Sequence, residues 1–188
     1  MKVVRAFVGF FASKRIHEVS ERIREEINPK ITGKWVEPQN LHMTFQFLGE
    51  INEDQALEVI KNLQEIAKKA IPFKIKYKSL GVFPDTRNPR VLWIGVSEGA
   101  NRLIKLAKEV ERLNARRGII PKNSKNFVPH VTVCRIKRAD RRALGDLLRK
   151  YRTVEFGEDE VNKIALISSS LTSVGPIYTV VEEFYLGA

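Results

Sequence analysis

The 188-residue chain has a single cysteine, Cys134, so no disulfide can form within it and the four-thiolate and mixed cysteine/histidine zinc patterns are excluded. A lone thiol fits a reducing, cytoplasmic setting. No run approaches the roughly 18 apolar residues that a membrane span needs. The most apolar stretch, Val3 to Ala12, is interrupted by Arg5 and is followed by no small-residue cleavage site, so it reads as a buried strand and not as a signal segment. Acidic residues are in deficit, 22 Asp and Glu against 33 Lys and Arg, for a formal charge of +11. Such an excess concentrates polyanions near the surface and speeds their encounter, which points to nucleic acid or another phosphate-rich partner. A solvated basic surface that only keeps the chain soluble would carry the same charge. The Lys/Glu-rich, Gln-poor surface also resembles a thermophile's. Histidine is scarce, with three in the chain.

What is present is a repeated order of elements. Residues 3 to 10 have the Val, Phe and Gly content of a buried strand, and the next segment carries Ile16, Val19, Ile23 and Ile27 at helical spacing. The sequence LHMTFQFLG (41 to 49) alternates like a half-buried strand, with Met43, Phe45 and Phe47 expected on the apolar face. Asn52 with Gln55 forms a capping-box signature that opens a helix over about 53 to 70, and a one-sided strand follows at 72 to 83. After the turn-rich PDTRNP (84 to 89) the pattern restarts. A strand is expected at 90 to 96, then a helix striped by Leu103, Leu106, Val110 and Leu113. A loop at 118 to 129 leads to the strand HVTVCRI, a helix around 139 to 150, and strands near 152 to 157, 161 to 170 and 177 to 185. Each half reads as strand, helix, His-x-Thr strand, helix, strand. No long linker intervenes, so the expectation is one two-lobed domain over 1–188 with pseudo-repeats at about 1–87 and 88–188.

Two of the three histidines share one frame, His-apolar-Thr-apolar, at 42 to 45 and 130 to 133. Successive strand side chains point to opposite faces, so His42 and Thr44 share a face with Cα atoms ~7 Å apart, and His130 and Thr132 repeat this. If the halves are related by an approximate two-fold, two imidazoles and two hydroxyls line one cleft. Phosphodiester cleavage needs a base on one side of phosphorus and an acid on the other, and imidazoles titrating near ~6.5 can supply both without a metal or other cofactor. The threonine hydroxyls can donate to the non-bridging oxygens. As a metal site, two histidines lacking a third histidine or an evident carboxylate are under-ligated. A lone His-x-Thr would read as packing; two matched copies reverse that. His17 lies beside its helix's apolar stripe and reads as a solvated histidine, and Cys134 as a small buried residue and not a nucleophile.

The segments WVEPQNLHMTFQFLG (35 to 49) and NFVPHVTVCRIKR (126 to 138) resemble the two signatures of the two-histidine phosphoesterase superfamily, and the whole chain is similar to its bacterial and archaeal 2'-5' RNA ligase group, the RNA 2',3'-cyclic phosphodiesterases. The resemblance implies an α+β fold, bilobal and duplicated, with two antiparallel sheets around a central cleft and helices on the outer faces. It implies hydrolysis of RNA 2',3'-cyclic phosphate ends, tRNA-derived ends among them, to a 2'-phosphate, with a reversible 2'-5' joining of RNA ends. By motif position His42 would be the proton donor and His130 the proton acceptor, with Thr44 and Thr132 holding the phosphate. Arg135 matches the basic residue that follows the second motif, although strict alternation from His130 turns it to the other face unless a bulge intervenes. Lys122 and Lys125 could meet an RNA backbone, and Trp35 could stack a terminal base or pack in the core. The chain is expected to act as a monomer away from membranes. The alternatives are a phosphodiesterase of small cyclic nucleotides or of ADP-ribose 1'',2''-cyclic phosphate, and a non-catalytic RNA- or nucleotide-binding module.

Overall fold

The computed structural model describes residues 2–118 and 126–187. Among the described residues nine strands and four helices follow one another as β1 (Val3–Phe11), α1 (Lys14–Ile27), β2 (Ile31–Trp35), a 3-10 turn (Pro38–Asn40), β3 (His42–Asn52), α2 (Glu53–Lys69), β4 (Phe73–Phe83), β5 (Val91–Val96), α3 (Ala100–Arg116), β6 (His130–Ala139), α4 (Arg141–Lys150), β7 (Glu155–Val161), β8 (Lys163–Thr172) and β9 (Gly175–Tyr185). The helices form where the apolar stripes place them. Ile16, Val19, Ile23 and Ile27 are buried on α1, and Leu103, Leu106, Val110 and Leu113 on α3. The capping box of α2 is complete: the Asn52 side chain accepts from the Gln55 amide at 2.9 Å and the Gln55 side chain accepts from the Asn52 amide at 2.9 Å.

Every pairing is antiparallel, in the order β7-β4-β5-β6-β3-β1-β8-β9, with β2 also on β6. Strands β3 and β6 meet through one residue pair, Met43 with Val131, so two sheets are joined by a single bridge. From Cys134 onward the free edge of β6 is taken by β2 instead, and the sheets part. Helices α2 and α3 cover the β3/β8/β9 side, while α1 and α4 cover the β4/β7 side. The helix that follows β1 therefore packs on the other lobe, as does the helix that follows β5. Halves of the chain and halves of the sheet do not coincide: β8 and β9 complete the lobe begun by β1 and β3.

Two strands differ from the sequence expectation. Strand β2 was not foreseen because ITGKW buries only Ile31 fully and shows no alternation. The strand expected at 152 to 157 runs instead over Glu155–Val161, whose composition, EFGEDEV, is that of an edge. Its register sets Lys74 opposite Glu160, Lys76 opposite Glu158 and Lys78 opposite Glu155, with Lys76 3.7 Å from Glu158, while Val161 is buried and Phe156 packs on the core.

A chain of buried amides braces β3 from behind. Asn62 of α2 donates to Asn114 of α3 at 2.7 Å, Asn114 donates to Gln46 at 2.8 Å, and the Arg117 guanidinium donates to the Asn62 carbonyl at 2.6 Å. Gln46 is 4% exposed and both asparagines are fully buried. Truncating the middle member leaves a donor on one side and an acceptor on the other without a partner, each worth on the order of 1–3 kcal/mol. Asn114→Ala should accordingly lower the denaturant midpoint by the equivalent of at least about 2 kcal/mol. A midpoint within about 0.5 kcal/mol of wild type would show that the network contributes nothing to stability.

Candidate active site

The single bridge sets the geometry of the two His-x-Thr tetrads. Because the strands are antiparallel about Met43 and Val131, His42 lies across from Thr132, and Thr44 across from His130. Met43 and Val131 are fully buried and point into the core. Their neighbours alternate away from it, so all four polar side chains stand on the opposite face, beside the seam where the two sheets diverge. The tetrads are thus related by a local two-fold through one residue pair.

Each imidazole is fixed in the same way. The His42 Nδ1 lies 2.6 Å from the Asn40 carbonyl oxygen and the His130 Nδ1 2.7 Å from that of Val128, in both cases two residues upstream. A carbonyl only accepts, so each Nδ1 carries the hydrogen and each Nε2 is the free, exchangeable position. Aromatic rings complete the clamp. Phe7 stacks on His42 at 4.5 Å and Tyr178 meets it edge-on at 5.0 Å. Phe83 meets His130 perpendicularly at 5.0 Å, with Trp93 at 5.9 Å. Burial among these rings pushes both imidazoles below their ordinary value, and the carbonyl hydrogen bonds oppose that only in part. For His42 the charges of His130 and Arg135 push the same way. These four aromatics were legible in the sequence only as strand formers; no spacing marks them as a histidine's neighbours.

Both tetrads are followed by a β-bulge. On β3 the register passes from Thr44 opposite Gly9 to Gln46 opposite Val8, leaving Phe45 as the extra residue. On β6 it passes from Thr132 opposite Trp93 to Cys134 opposite Leu92, leaving Val133. An extra residue reverses the alternation beyond it. Gln46 and Cys134 turn into the core, while Phe47 and Arg135 come round to the face that bears the histidines. Phe47 was expected on the apolar face; it is 55% exposed, paired with Phe7, with the Arg5 guanidinium 5.1 Å from its ring. Arg135 stands close enough for its charge to add to the lowering of His42 and, at Tyr178, to oppose the rise that burial causes. The buried Cys134 thiol is pushed up to about 12, which leaves no thiolate at neutral pH.

Trp35 packs against the core with Arg24 over its ring, away from the histidine face. His17 is half-buried on α1. Lys122 and Lys125 lie outside the described residues. Among the described residues, no three His, Cys, Asp or Glu side chains converge as a metal site requires, and no helix is long and apolar enough to cross a membrane.

A family model described as LigT like phosphoesterase matches residues 11–93 and again 94–178. The chain belongs to that family, within the two-histidine phosphoesterase superfamily. It is 80% identical over 187 residues, the full length of both chains, to an RNA 2',3'-cyclic phosphodiesterase of Aquifex aeolicus (strain VF5). It is 39% identical over 174 residues to one of Methanocaldococcus jannaschii, covering 89% of this chain and 96% of that one. Among solved structures, TT0787 of Thermus thermophilus superposes with a TM-score of 0.81 at 28% identity, over 97% of this chain and 98% of that one. Escherichia coli LigT complexed with 3'-AMP, at 23% identity and a TM-score of 0.80 over the whole of both chains, shares the fold.

The depressed imidazoles have a consequence for stability. A histidine whose folded-state value lies below its unfolded value binds fewer protons when folded, so stability is on its plateau above about pH 6.5 and falls as pH decreases beneath it. Thermal midpoints of wild type should drop between about pH 6.5 and pH 5, before most carboxylates titrate. The double variant His42→Asn/His130→Asn should show a shallower drop there. Parallel curves for the two proteins would refute the burial-driven shift.

Proposed function

We propose that the protein hydrolyses RNA 2',3'-cyclic phosphate ends to a 2'-phosphate, with His42 and His130 as the acid-base pair. The observation that carries this reading is the pair of Nδ1-anchored imidazoles, each presenting Nε2 from opposite sides of one local two-fold. In-line displacement at phosphorus needs that two-sided arrangement. The Nε2 of neutral His130 takes a proton from water as the water oxygen bonds to phosphorus. Protonated His42 gives its Nε2 proton to the departing 3'-oxygen as the P–O3' bond breaks. One proton is gained and one lost, and exchange with solvent resets the pair. Family resemblance supplies this direction; a 2'-5' joining would use it too, with an RNA 5'-hydroxyl in place of water, and the two-fold permits the reversed roles that reopening a 2'-5' bond to the cyclic phosphate needs.

Thr44 and Thr132 offer hydroxyls to the non-bridging oxygens, and neither hydroxyl is held by another hydrogen bond among the described residues. Arg135 supplies a planar fork suited to two phosphate oxygens. A phosphate set between Arg135 and His42 also offsets the guanidinium charge, restoring to His42 the proton that the donor role requires. Phe47, exposed on the same face, gives the terminal base a flat apolar surface to stack on. The reading extends to one domain over 1–188 acting as a cytoplasmic monomer on RNA ends, tRNA-derived ends included, and the pseudo-repeats at about 1–87 and 88–188 account for the doubled tetrads.

The test is incubation with an RNA oligomer ending in a 2',3'-cyclic phosphate, in EDTA, with 2'-phosphate and free 3'-hydroxyl as the expected product. His42→Ala and His130→Ala should each lower kcat by at least ~10²-fold while remaining folded. A folded variant of either kind that turns over near the wild-type rate defeats the mechanism. Thr44→Val and Thr132→Val keep the branched shape and remove a donor to a charged group, worth on the order of 1.5–3 kcal/mol or ~10- to 100-fold in kcat/KM. Because both imidazoles start below ~6.5, kcat/KM should follow a bell in pH with its maximum on the acid side of that value. A bell lying wholly above about pH 8 would rule the pair out as the titrating groups.

A further inference from the structure

Edge strands of the His130 lobe treat charge in opposite ways. On one edge, β4 and β7 match each lysine with a glutamate, and Lys76 forms ion pairs with Glu98 at 3.2 Å and Glu158 at 3.7 Å. On the other edge, β2 places Lys34 directly opposite Arg135, two cations in the position where like charges destabilise a sheet. Arg138 follows, opposite Thr32. Lys34, Arg135 and Arg138 are exposed, and none forms an ion pair among the described residues.

Facing is set by the register. Trp35 and Cys134 form one pair and pack inward, as do Ile136, opposite Gly33, and Ile31 with Ala139. The alternate pairs, Lys34 with Arg135 and Thr32 with Arg138, therefore point to the face that carries His130 and Thr132. Strand β2 is also pressed hard onto β6 here. A Cβ on Gly33 would come 2.1 Å from the Arg135 carbonyl oxygen, so only glycine allows the approach. The result is a row of cations that starts beside the histidines and runs out along the edge, with two strand residues, about 6–7 Å, between the Lys34 and Thr32 positions. The opposite wall, around His42, is aromatic and apolar, with Phe7, Phe47, Tyr178 and Ile167.

We propose that Lys34, with Arg138 beyond it, forms a second phosphate subsite that holds the single-stranded RNA backbone 5' of the terminal cyclic phosphate. The subsite rests on the hydrolase reading for what occupies the histidines, but its own role is separate: it makes the enzyme prefer the end of a polynucleotide to a cyclic mononucleotide. The like-charge pair is relieved when a phosphodiester settles on it, which couples binding to the removal of a local repulsion. The rest of the +11 charge steers RNA from a distance; this row gives it a track.

Kinetics of Lys34→Gln on a cyclic-phosphate-ended RNA oligomer and on 2',3'-cyclic AMP test the subsite, with Lys74→Gln, from the neutralised edge, as the charge-matched control. Lys34→Gln should lower kcat/KM on the oligomer about 3- to 10-fold, chiefly through KM, and flatten the dependence of log affinity on log salt by about 0.7 to 1 between about 50 and 200 mM. Turnover of the cyclic mononucleotide should not change, and Lys74→Gln should match wild type on both substrates. Relief of the cross-strand repulsion should leave Lys34→Gln melting no lower than wild type. Equal losses on the two substrates, no loss on the oligomer, or the same loss in Lys74→Gln would each overturn the proposal. Fluorescence anisotropy of an RNA oligomer ending in a plain 3'-hydroxyl separates this result from the hydrolase reading. If wild type turns over neither substrate, that reading falls, and Lys34-dependent binding of the oligomer still upholds the subsite while Lys34-independent binding removes it.

Discussion

One residue pair, Met43 with Val131, decides where everything else in the cleft can be. It is the only bridge between β3 and β6, and both side chains are fully buried. Burial of the pair fixes which face of each strand looks inward, and the antiparallel sense then brings the first histidine beside the second threonine and the reverse. Had the strands paired more extensively, the sheet would run flat and unbroken across this region and leave no concavity. Had they not paired, nothing would hold the two imidazoles in register. A single bridge does both: it locks the registers of two sheets and lets them diverge at once, because β2 takes over the edge of β6 from Cys134 onward. The apolar half of each tetrad is therefore as necessary to the proposed chemistry as the polar half.

The bulges after the tetrads extend that face by one more side chain, and their different solutions show what the extra residue costs. On β3 the reversed phase carries a glutamine inward, a polar group that must be satisfied, and Asn114 and Asn62 satisfy it. On β6 it carries a cysteine, small and weakly polar, which needs no network. The gain on the other face is also different in kind. One wall receives an aromatic ring and the other a guanidinium, so a duplicated scaffold ends in an asymmetric cleft. A base and a phosphate need such a difference to be told apart.

Much of this architecture could be read from the sequence, and the failures are specific. Helices announced themselves through Ile16, Val19, Ile23 and Ile27 or Leu103, Leu106, Val110 and Leu113, and through the Asn52/Gln55 box. The tetrads stood out because histidine is rare and the frame was repeated. Phe47 was misjudged, and the face of Arg135 was left to hang on a bulge, for one reason: alternation counts residues, and a bulge inserts one without changing composition. The aromatic clamps were invisible because Phe7, Phe83, Trp93 and Tyr178 are far apart in sequence and each is an ordinary strand residue. β2 escaped, and the bounds of β7 were set too early, because edge strands need little burial and are placed by partners, Glu155, Glu158 and Glu160 against lysines in one case and a glycine-permitted close approach in the other. Which helix covers which lobe was likewise unreadable, since crossing between lobes leaves no local mark.

Electrostatics joins these features into a single device. The rings that clamp the imidazoles also remove them from water, so both are held toward the neutral, basic form, and the nearby guanidinium reinforces this at His42. Imidazoles so placed are favoured as bases and disfavoured as acids. An anion beside Arg135 would favour a proton on His42, because it offsets the guanidinium's part in a lowering that burial dominates and rewards a positive charge beside it. On the proposed assignment of His42 as proton donor, the substrate's own charge would ready the group that releases its leaving oxygen, and a neutral molecule of similar shape would not. Discrimination for phosphate is then built into the protonation state as well as into the contacts, and it depends on burial that the aromatic residues provide.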